Sequence, residues 1–573
     1  MERACAINVN FMHELENNKE FSSLHGLFTW MHNYFRSCPD SLKACIVYLS
    51  IFPRDHICRR RRLVRRWIAE GYSRDNYEES AENIGEKQFS DLLDLSIIQQ
   101  SQEREAIGDT RTVLCQVNGF ISEYIVKWRI EENLVFELGR SSNLTTERTG
   151  HHLVILEHWR RDKIVFGSIN FSQLQSLTVF GKWESYFISE RMKLLRVLDL
   201  EDASGPVEYR DLQKMAKWLR HLKFLSLRGQ HEIHCLPSLL DNLRELESLD
   251  VRNTSIVTLP KDITKLKKLQ YIRAGTTDIL ASAVPGRTSS SWFRKHRSLV
   301  GVEMPRGIGK LTVLHTLGVV NVAASGSKNF VKDLKKLTQL RKLGVCGINS
   351  KNSKHFFSAI QCHAHLESLS VRLDKEEIGC FLKEDNGNKD LLDGIISLAC
   401  ENVMSSLKLY GLENNLPNIG ATQYRNLTKF ELEMTRLTYI GTRIIGKLPK
   451  LSILRVNLIQ DGNLDFTIKV NNEEDHSYKK LKVLEIGCMS SKLSVTFGAK
   501  TMKKLKLLKV GCLNASSTFK FTGMTNLKEL NEVVLVNGPN AEKLKEYLDH
   551  QLAGHPTEHK KPVVKLVEPP RSS

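Results

Sequence analysis

One short pattern recurs so often that it restricts the chain to a repeated, extensible architecture. The pattern is apolar, two residues, apolar, one residue, apolar. It reads LQSLTV from Leu174, LRVLDL from Leu195, LKFLSL from Leu222, LESLDV from Leu246 and, more weakly, LQYIRA from Leu269. It returns from Leu314, Leu340, Leu366, Met404, Leu427, Leu451, Leu481 and Leu505, and in a degraded form (LKELNE) from Leu527. Most starts lie 21–30 residues apart; the wider steps from Leu269 to Leu314 and from Leu366 to Met404 imply insertions or a missed unit. A compact core rarely grows beyond ~250–300 residues. A chain of 573 residues therefore needs several domains or an array that lengthens without thickening.

The spacing dictates what each copy does. Side chains alternate faces along a strand, so the fourth and sixth positions point inward, into a stack of leucines. The third, fifth and seventh point outward. One copy cannot bury its leucines alone, whereas stacked neighbours can. The expectation is one parallel strand per copy, with the return segment on the other side. The outward positions are then the default contact residues for a partner: Asp199, Glu201, Ser226, Arg228, Asp250, Arg252, Tyr271, Arg273, Lys342, Ser370, Arg372, Glu431, Glu433, Arg455 and Lys509.

Charge is unevenly placed. The net charge is +18, which by itself would suit nucleic acid or an anionic membrane. Residues 1–150 hold 19 basic and 22 acidic side chains, so the excess lies wholly downstream. No stretch reaches the ~18 apolar residues of a membrane span, and MERACAINVNFMHELENNKE lacks the basic flank and apolar run of a secretory signal. The 12 Cys form no CxxC pair. These features lead us to expect a soluble protein of the cytoplasm, and also of the nucleus, with free thiols.

The first 150 residues follow a different grammar. Helical patterning covers roughly 20–36, 40–50, 59–70 and 80–95, and a β-like pair follows, with Ile97-Ile98 on one side and Val113-Leu114-Cys115 on the other. A further amphipathic segment runs over about 118–129. Helices followed by a hairpin suggest a winged helix. Leu63, Val64, Trp67 and Ile68 share one helical face and should bury against Leu49, Ile51 and Phe52. Arg59–Arg62, Arg65 and Arg66 take the opposite face. That face could insert into a DNA major groove, or it could be solvated or docked on acidic residues of a neighbouring domain. The net acidity of the region favours the second reading.

The run CPDSLKACIVYLSIFPRDHICRRRRLVRRWIAEGY (Cys38 to Tyr72) resembles the winged-helix module of plant nucleotide-binding (NB-ARC) leucine-rich-repeat disease resistance proteins of the coiled-coil type. QFSDLLDLSIIQQ from Gln88 and CQVNGFISEYIV from Cys115 fit the same family, as do the repeats. The resemblance implies an α/β architecture: a small winged-helix domain followed by a leucine-rich-repeat solenoid, or horseshoe. The expected segments are a helical remnant (1–36), the winged helix (37–140), the solenoid (141–550) and a disordered basic tail (551–573). It also implies a role in innate immunity through protein recognition. The partner would be a pathogen effector, a host guardee protein or a full-length resistance protein.

Two family features are missing. The sequence has no G-x-x-x-x-G-K-[ST] run to cradle phosphates; Gly307-Ile308-Gly309-Lys310 is followed by Leu311 and sits between repeats. The family's Met-His-Asp-type nucleotide sensor aligns here with Val117-Asn118-Gly119. Asn118 cannot become cationic and Gly119 has no carboxylate. The chain is therefore expected to start at or just before the winged helix and to use no ADP or ATP of its own. These are cofactors of full-length relatives. His231, His234 and Cys235, and Cys362, His363 and His365, lack paired ligand spacing, so no metal is expected. No catalytic constellation emerges, and the chain reads as a non-enzyme. The alternatives are a nucleic-acid-binding winged-helix regulator, or an ATP/ADP-switched resistance protein whose core lies in a longer chain.

Overall fold

The computed structural model describes residues 33–100, 114–119, 121–122, 135–139, 150–277, 299–361, 363–374, 403–413, 416, 424–460, 462–467, 477–488, 492–512, 518–536, 541–555 and 561–567. The expected helices at 20–32 and over most of 118–129 lie outside these. The chain divides into two compact units, one of residues up to 204 with 221–224, the other essentially of residues 205–573.

The first unit opens with three helices, α1 (Asp40–Tyr48), α2 (Arg60–Glu70) and α3 (Ala81–Asp94). Three short antiparallel strands join them: β1 (Cys58–Arg59), β2 (Ile98–Gln100) and β3 (Leu114–Val117). β3 is central, with Cys58 opposite Cys115 and Ile98 opposite Val117. This is a winged helix. Ser80 caps α3 by accepting from the Asn83 amide, and such a cap stabilises a helix by ~1 kcal/mol. Gly71 ends α2 at φ +85°, and the Tyr72 amide returns to the Trp67 carbonyl at 2.8 Å. This left-handed stop favours glycine. Leu63, Val64, Trp67 and Ile68 are buried with Leu49, Ile51, Phe52, Phe89 and Ile98, as their helical spacing predicts. Burying side chains of this size contributes about 1.5–3 kcal/mol each.

The same core takes in Val135 and Val154, which lie on the first strands of the repeat array. Val135–Leu138, His152–Ile155, Ser176–Val179 and Val197–Asp199 pair in parallel within this unit. Among the described residues the first strand of the array is thus at Val135, before the expected boundary at 141. Two strands precede the first copy seen in the sequence.

In the second unit the parallel ladder runs from Ser248–Asp250 to Val563–Val567. Leu249, Ile272, Leu317, Leu343, Leu369 and Leu407 share one register, which continues through Phe430, Leu454, Leu484 and Leu508 to Val533 and Val564. Each of the fourteen copies carries one strand. Both wide steps are insertions, because Tyr271–Arg273 pairs directly with Thr316–Asn321, and Ser368–Leu373 with Ser406–Leu412. The last copy is in a different frame: Leu508 opposes Val533 and Val510 opposes Leu535. The unit therefore starts at Leu530, and LKELNE only looks degraded. The tail also differs from expectation. Helix Ala541–Leu552 and strand Val563–Val567 belong to the array, so the described residues 551–555 and 561–567 are not a disordered tail.

Return segments change character along the ladder. Helices Ser327–Leu334, Ser350–Ile360 and Tyr439–Gly446 give way to a second parallel sheet of Gly462–Phe466, Lys492–Phe497 and Thr518–Thr522. Open sheet edges invite aggregation, and both edges here are covered. Thr442 Oγ1 donates to the Asp465 carbonyl at 2.8 Å, while Tyr547 and Gln551 donate to the Phe521 carbonyl at 3.2 and 2.9 Å.

Candidate functional site: two charged interaction surfaces

The first surface forms where the arginine face of α2 meets the acidic end of strand Val197–Asp199. Arg62 Nε and Arg66 Nη1 each donate to Asp199 Oδ2 at 2.7 Å. Arg62 Nη1 reaches Asp202 at 2.6 Å, Arg59 pairs with Glu201, and Arg66 Nη2 donates to Thr178 Oγ1 at 2.7 Å. Arg62, Arg66 and Asp199 are buried. Burial alone would raise the Asp199 carboxyl, but the two guanidiniums beside it hold it below the usual carboxylate range. Arg62 keeps its charge for the matching reason: its three carboxylates outweigh the cost of burial. Four arginines of the face that might have read DNA, Arg59, Arg60, Arg62 and Arg66, are thus occupied by acids of the same unit, while Arg61 is exposed. Asp199 and Glu201, expected as contacts for an outside partner, are occupied inside the chain.

Glu70, at the end of α2, belongs to an adjoining buried network. It accepts from Tyr48 at 3.3 Å, and Tyr48 in turn accepts from Arg66 Nε at 2.9 Å. His152 lies 3.6 Å away and contacts Ser176 at 2.8 Å and Tyr72 at 2.9 Å. Burial pushes the Glu70 carboxyl up to about 7, with Arg66 opposing the rise. Burial, together with His151, Arg66 and Arg196, lowers His152 to about 3, so the ring is neutral.

The second surface is a ladder of alternating charge on the outward face of the second unit. Lys408, Glu431, Arg455, Glu485 and Lys509 stand side by side on five adjacent strands. Glu431 accepts from Lys408 at 2.9 Å and from Arg455 at 3.5 Å, and Glu485 lies 2.7 Å from Arg455 and 3.7 Å from Lys509. Tyr410 donates to Glu431 at 2.8 Å, and Arg372 crosses the Tyr410 ring at 4.9 Å to pair with Glu433 at 3.1 Å. Cross-strand opposite-charge pairs each contribute roughly 0.2–1 kcal/mol.

The structure brings Arg372, Glu431, Glu433, Arg455 and Lys509 together in this network. Asp250 and Arg252 pair with each other. Tyr271 is buried edge-on against His315, with centroids 5.9 Å apart. Arg228, Arg273 and Lys342 are half-buried along the same face. Lys408, Tyr410 and Glu485 were not among the expected contacts, although Lys408 and Glu485 are fifth positions and Tyr410 a seventh position of their copies. The outward-position rule, applied without omission, finds all three.

The remaining candidates play other parts. Asn118 ends β3, its amide donating to the Ile97 carbonyl at 3.0 Å and its side chain to the Ser96 carbonyl at 3.4 Å. A Cβ on Gly119 would meet nothing within 4 Å. Gly307 donates to the Asp333 carboxylate at 2.6 Å, an acid where a phosphate loop would place its ligand. Gly441–Lys447 spells the phosphate-loop spacing more closely, lacking only the final hydroxyl residue, but it lies in helix Tyr439–Gly446. Among the described residues no three His, Cys, Asp or Glu side chains form a metal-holding group.

These elements define the class: a winged helix joined to a leucine-rich-repeat array. Residues 173–560 match the leucine-rich repeat region family, and residues 51–123 match the disease resistance protein winged helix domain. The chain belongs to the leucine-rich-repeat family, and its winged helix is of the disease-resistance type. Disease resistance protein Pik-2 of Oryza sativa subsp. japonica is 33% identical over 258 residues, covering 44% of this chain and 24% of the relative. Disease resistance protein RGA4 of the same plant is 28% identical over 492 residues, covering 81% and 43%. A leucine-rich-repeat protein of Leptospira interrogans is 16% identical with a TM-score of 0.38, covering 72% of this chain and 95% of that one. The chain spans about a quarter to under a half of the length of the two rice relatives. No helix among the described residues is long and apolar enough to cross a membrane.

Proposed function

We propose that this chain is a protein-recognition and regulatory module of plant innate immunity, acting by binding rather than by catalysis. The carrying observation is the presence in one chain of a disease-resistance winged helix and a continuous ladder of parallel repeat strands. A repeat array offers a long preformed surface, and few side chains need ordering when a partner docks. The partner is a pathogen effector, a host protein that an effector modifies, or a full-length resistance protein, met in the cytoplasm or the nucleus. Recognition falls on the outward face around Arg228, Arg273, Lys342 and the Arg372–Lys509 network. The occupied arginine face of α2 supports this reading over DNA recognition.

Plants with the gene disrupted, challenged with a panel of pathogen races, provide the test. Loss of resistance to at least one race, restored by the intact chain but not by Arg273→Glu/Lys342→Glu, is the expected result. No race distinguishing plants with and without the chain would overturn the proposal.

A further inference from the structure

The sequence Lys-Lys-Leu-Lys occurs twice, at 479–482 and 503–506, one repeat apart. Both copies occupy the turn that feeds a strand, at the edge where the parallel strands begin. The turns match: Tyr478 and Met502, just before each run, are buried and adopt the left-handed conformation at φ +57° and +50°. Leu481 and Leu505 amides close the turns on the Tyr478 and Met502 carbonyls at 3.2 and 3.0 Å. The Lys482 amide donates to Ser452, that of Lys506 to Lys482 and that of Asn531 to Lys506, at 2.8–2.9 Å. The two runs are therefore adjacent rungs, ~4.8 Å apart.

All six lysines are exposed; the flanking rungs carry exposed Lys450 on one side and exposed Lys528 with Glu529 on the other, so the six remain the dominant charge of the edge. Two lysines at a turn earlier in the array are instead paired with acids. Lys265 pairs with Asp241 and Asp262 at 2.9 and 2.7 Å, and Lys268 with Glu245 at 2.6 Å. The six have no carboxylate partner among the described residues. Residues 479–506 contain eight lysines and one glutamate, an excess larger than the nearby Glu473, Glu474 and Asp475 can cancel.

The residue types select the partner. Between Lys447 and Lys528 no large apolar side chain is exposed among the described residues, so the edge has no anchor of the kind that dominates protein interfaces. It has no exposed aromatic on which a base could stack. Lysine is a compact point charge suited to phosphates in any orientation. A clustered set of 4–8 such charges binds anionic lipid by summed attraction alone.

We propose that this lysine edge binds the anionic surface of a membrane, placing the array edge-on to phospholipid phosphates and carboxylates. The test is co-sedimentation of the full chain with vesicles of phosphatidylserine and phosphatidylcholine mixed about 1:3. The parent should bind these vesicles but not phosphatidylcholine alone, and binding should weaken as salt rises. Removing one lysine charge near such a surface weakens partitioning about five-fold. Lys479→Gln/Lys480→Gln/Lys503→Gln/Lys504→Gln should therefore lose roughly several hundred-fold, with an unchanged unfolding midpoint. The four-arginine counterpart should retain binding, and so should Lys265→Gln/Lys268→Gln. Equal binding by parent and the four-glutamine variant would overturn the proposal. So would a parent that ignores the vesicles, including one that instead binds duplex DNA or polyglutamate through these lysines.

Discussion

Replacing Asp199 by Asn preserves the shape of the side chain and removes the charge on which α2 rests. Asp199 is fully buried and receives two guanidinium hydrogen bonds of 2.7 Å, plus the Glu201 amide at 3.2 Å. After substitution Arg62 still has Asp202 at 2.6 Å, whereas Arg66 keeps only Tyr48 and Thr178, both neutral. A buried charge left unpaired costs about 3–5 kcal/mol, and the surviving neutral bonds place the loss at about 3 kcal/mol, roughly a hundredfold in the opening equilibrium. Amide hydrogen exchange of α2 reads this directly, and exchange of Arg60–Glu70 should accelerate by that factor. The apolar replacement Arg66→Met/Asp199→Leu should recover most of the protection. Exchange of the Asn variant within about threefold of the parent would refute the assignment of the pair as the clamp. Equal instability of the apolar variant would show that packing, not uncompensated charge, was lost. The pH sign follows from the depressed Asp199 carboxyl: its stabilisation is present at neutral pH and fades as pH falls below the ordinary carboxylate range.

Glu70 should behave in the opposite sense. Its carboxyl is raised from 4.5 to about 7, so stability is fullest below pH 4.5 and declines as pH rises through 7; Glu70→Gln should flatten this slope in urea melts across pH 5–8 and stabilise the first unit by about 3 kcal/mol above it. Glu431→Gln removes the buried charge shared by Lys408 and Arg455 and leaves one acceptor oxygen where Glu431 offered two to these cations and Tyr410; it should lower stability by about 2–4 kcal/mol, seen as faster exchange of Lys429–Met434, and an unchanged rate would mean the ladder is ornamental. Gly523→Ala sets a Cβ 2.2 Å from the Phe497 carbonyl at φ +77°; loss of at least about 2 kcal/mol is expected, measured by chemical denaturation. Calorimetric titration of the chain with ADP should give no saturable heat in the micromolar range, as Asn118 and Gly119 offer neither a cation nor a carboxylate.

The periodicity of leucines determined most of the architecture on its own. Each strand of a repeat array buries its apolar positions against copies of itself, so the local spacing carries the whole packing rule. The α2 core was legible for a similar reason, since Leu63, Val64, Trp67 and Ile68 declare one helical face. Where the pattern was broken, the sequence could not choose. Leu269 to Leu314 read equally as an insertion or a lost unit until Tyr271 was found opposite Thr316. Strands at Val135, His152 and Val563 lacked the leucine signature because the first position of their copies is not leucine: Asn133 and Gly150 stand there in the first two, and Lys561 in the third. The charged residues divide in the same way. The sequence placed Asp199, Glu431 and Arg455 on the outward face, a local property of strand alternation. Only the tertiary structure decided that Asp199 holds the arginines of α2, that Glu431 and Arg455 neutralise each other across strands, and that the six lysines of the Lys479–Lys506 edge have no carboxylate partner among the described residues. Charge pairing depends on residues brought within a few ångströms from far apart in the chain, and no local pattern records that distance.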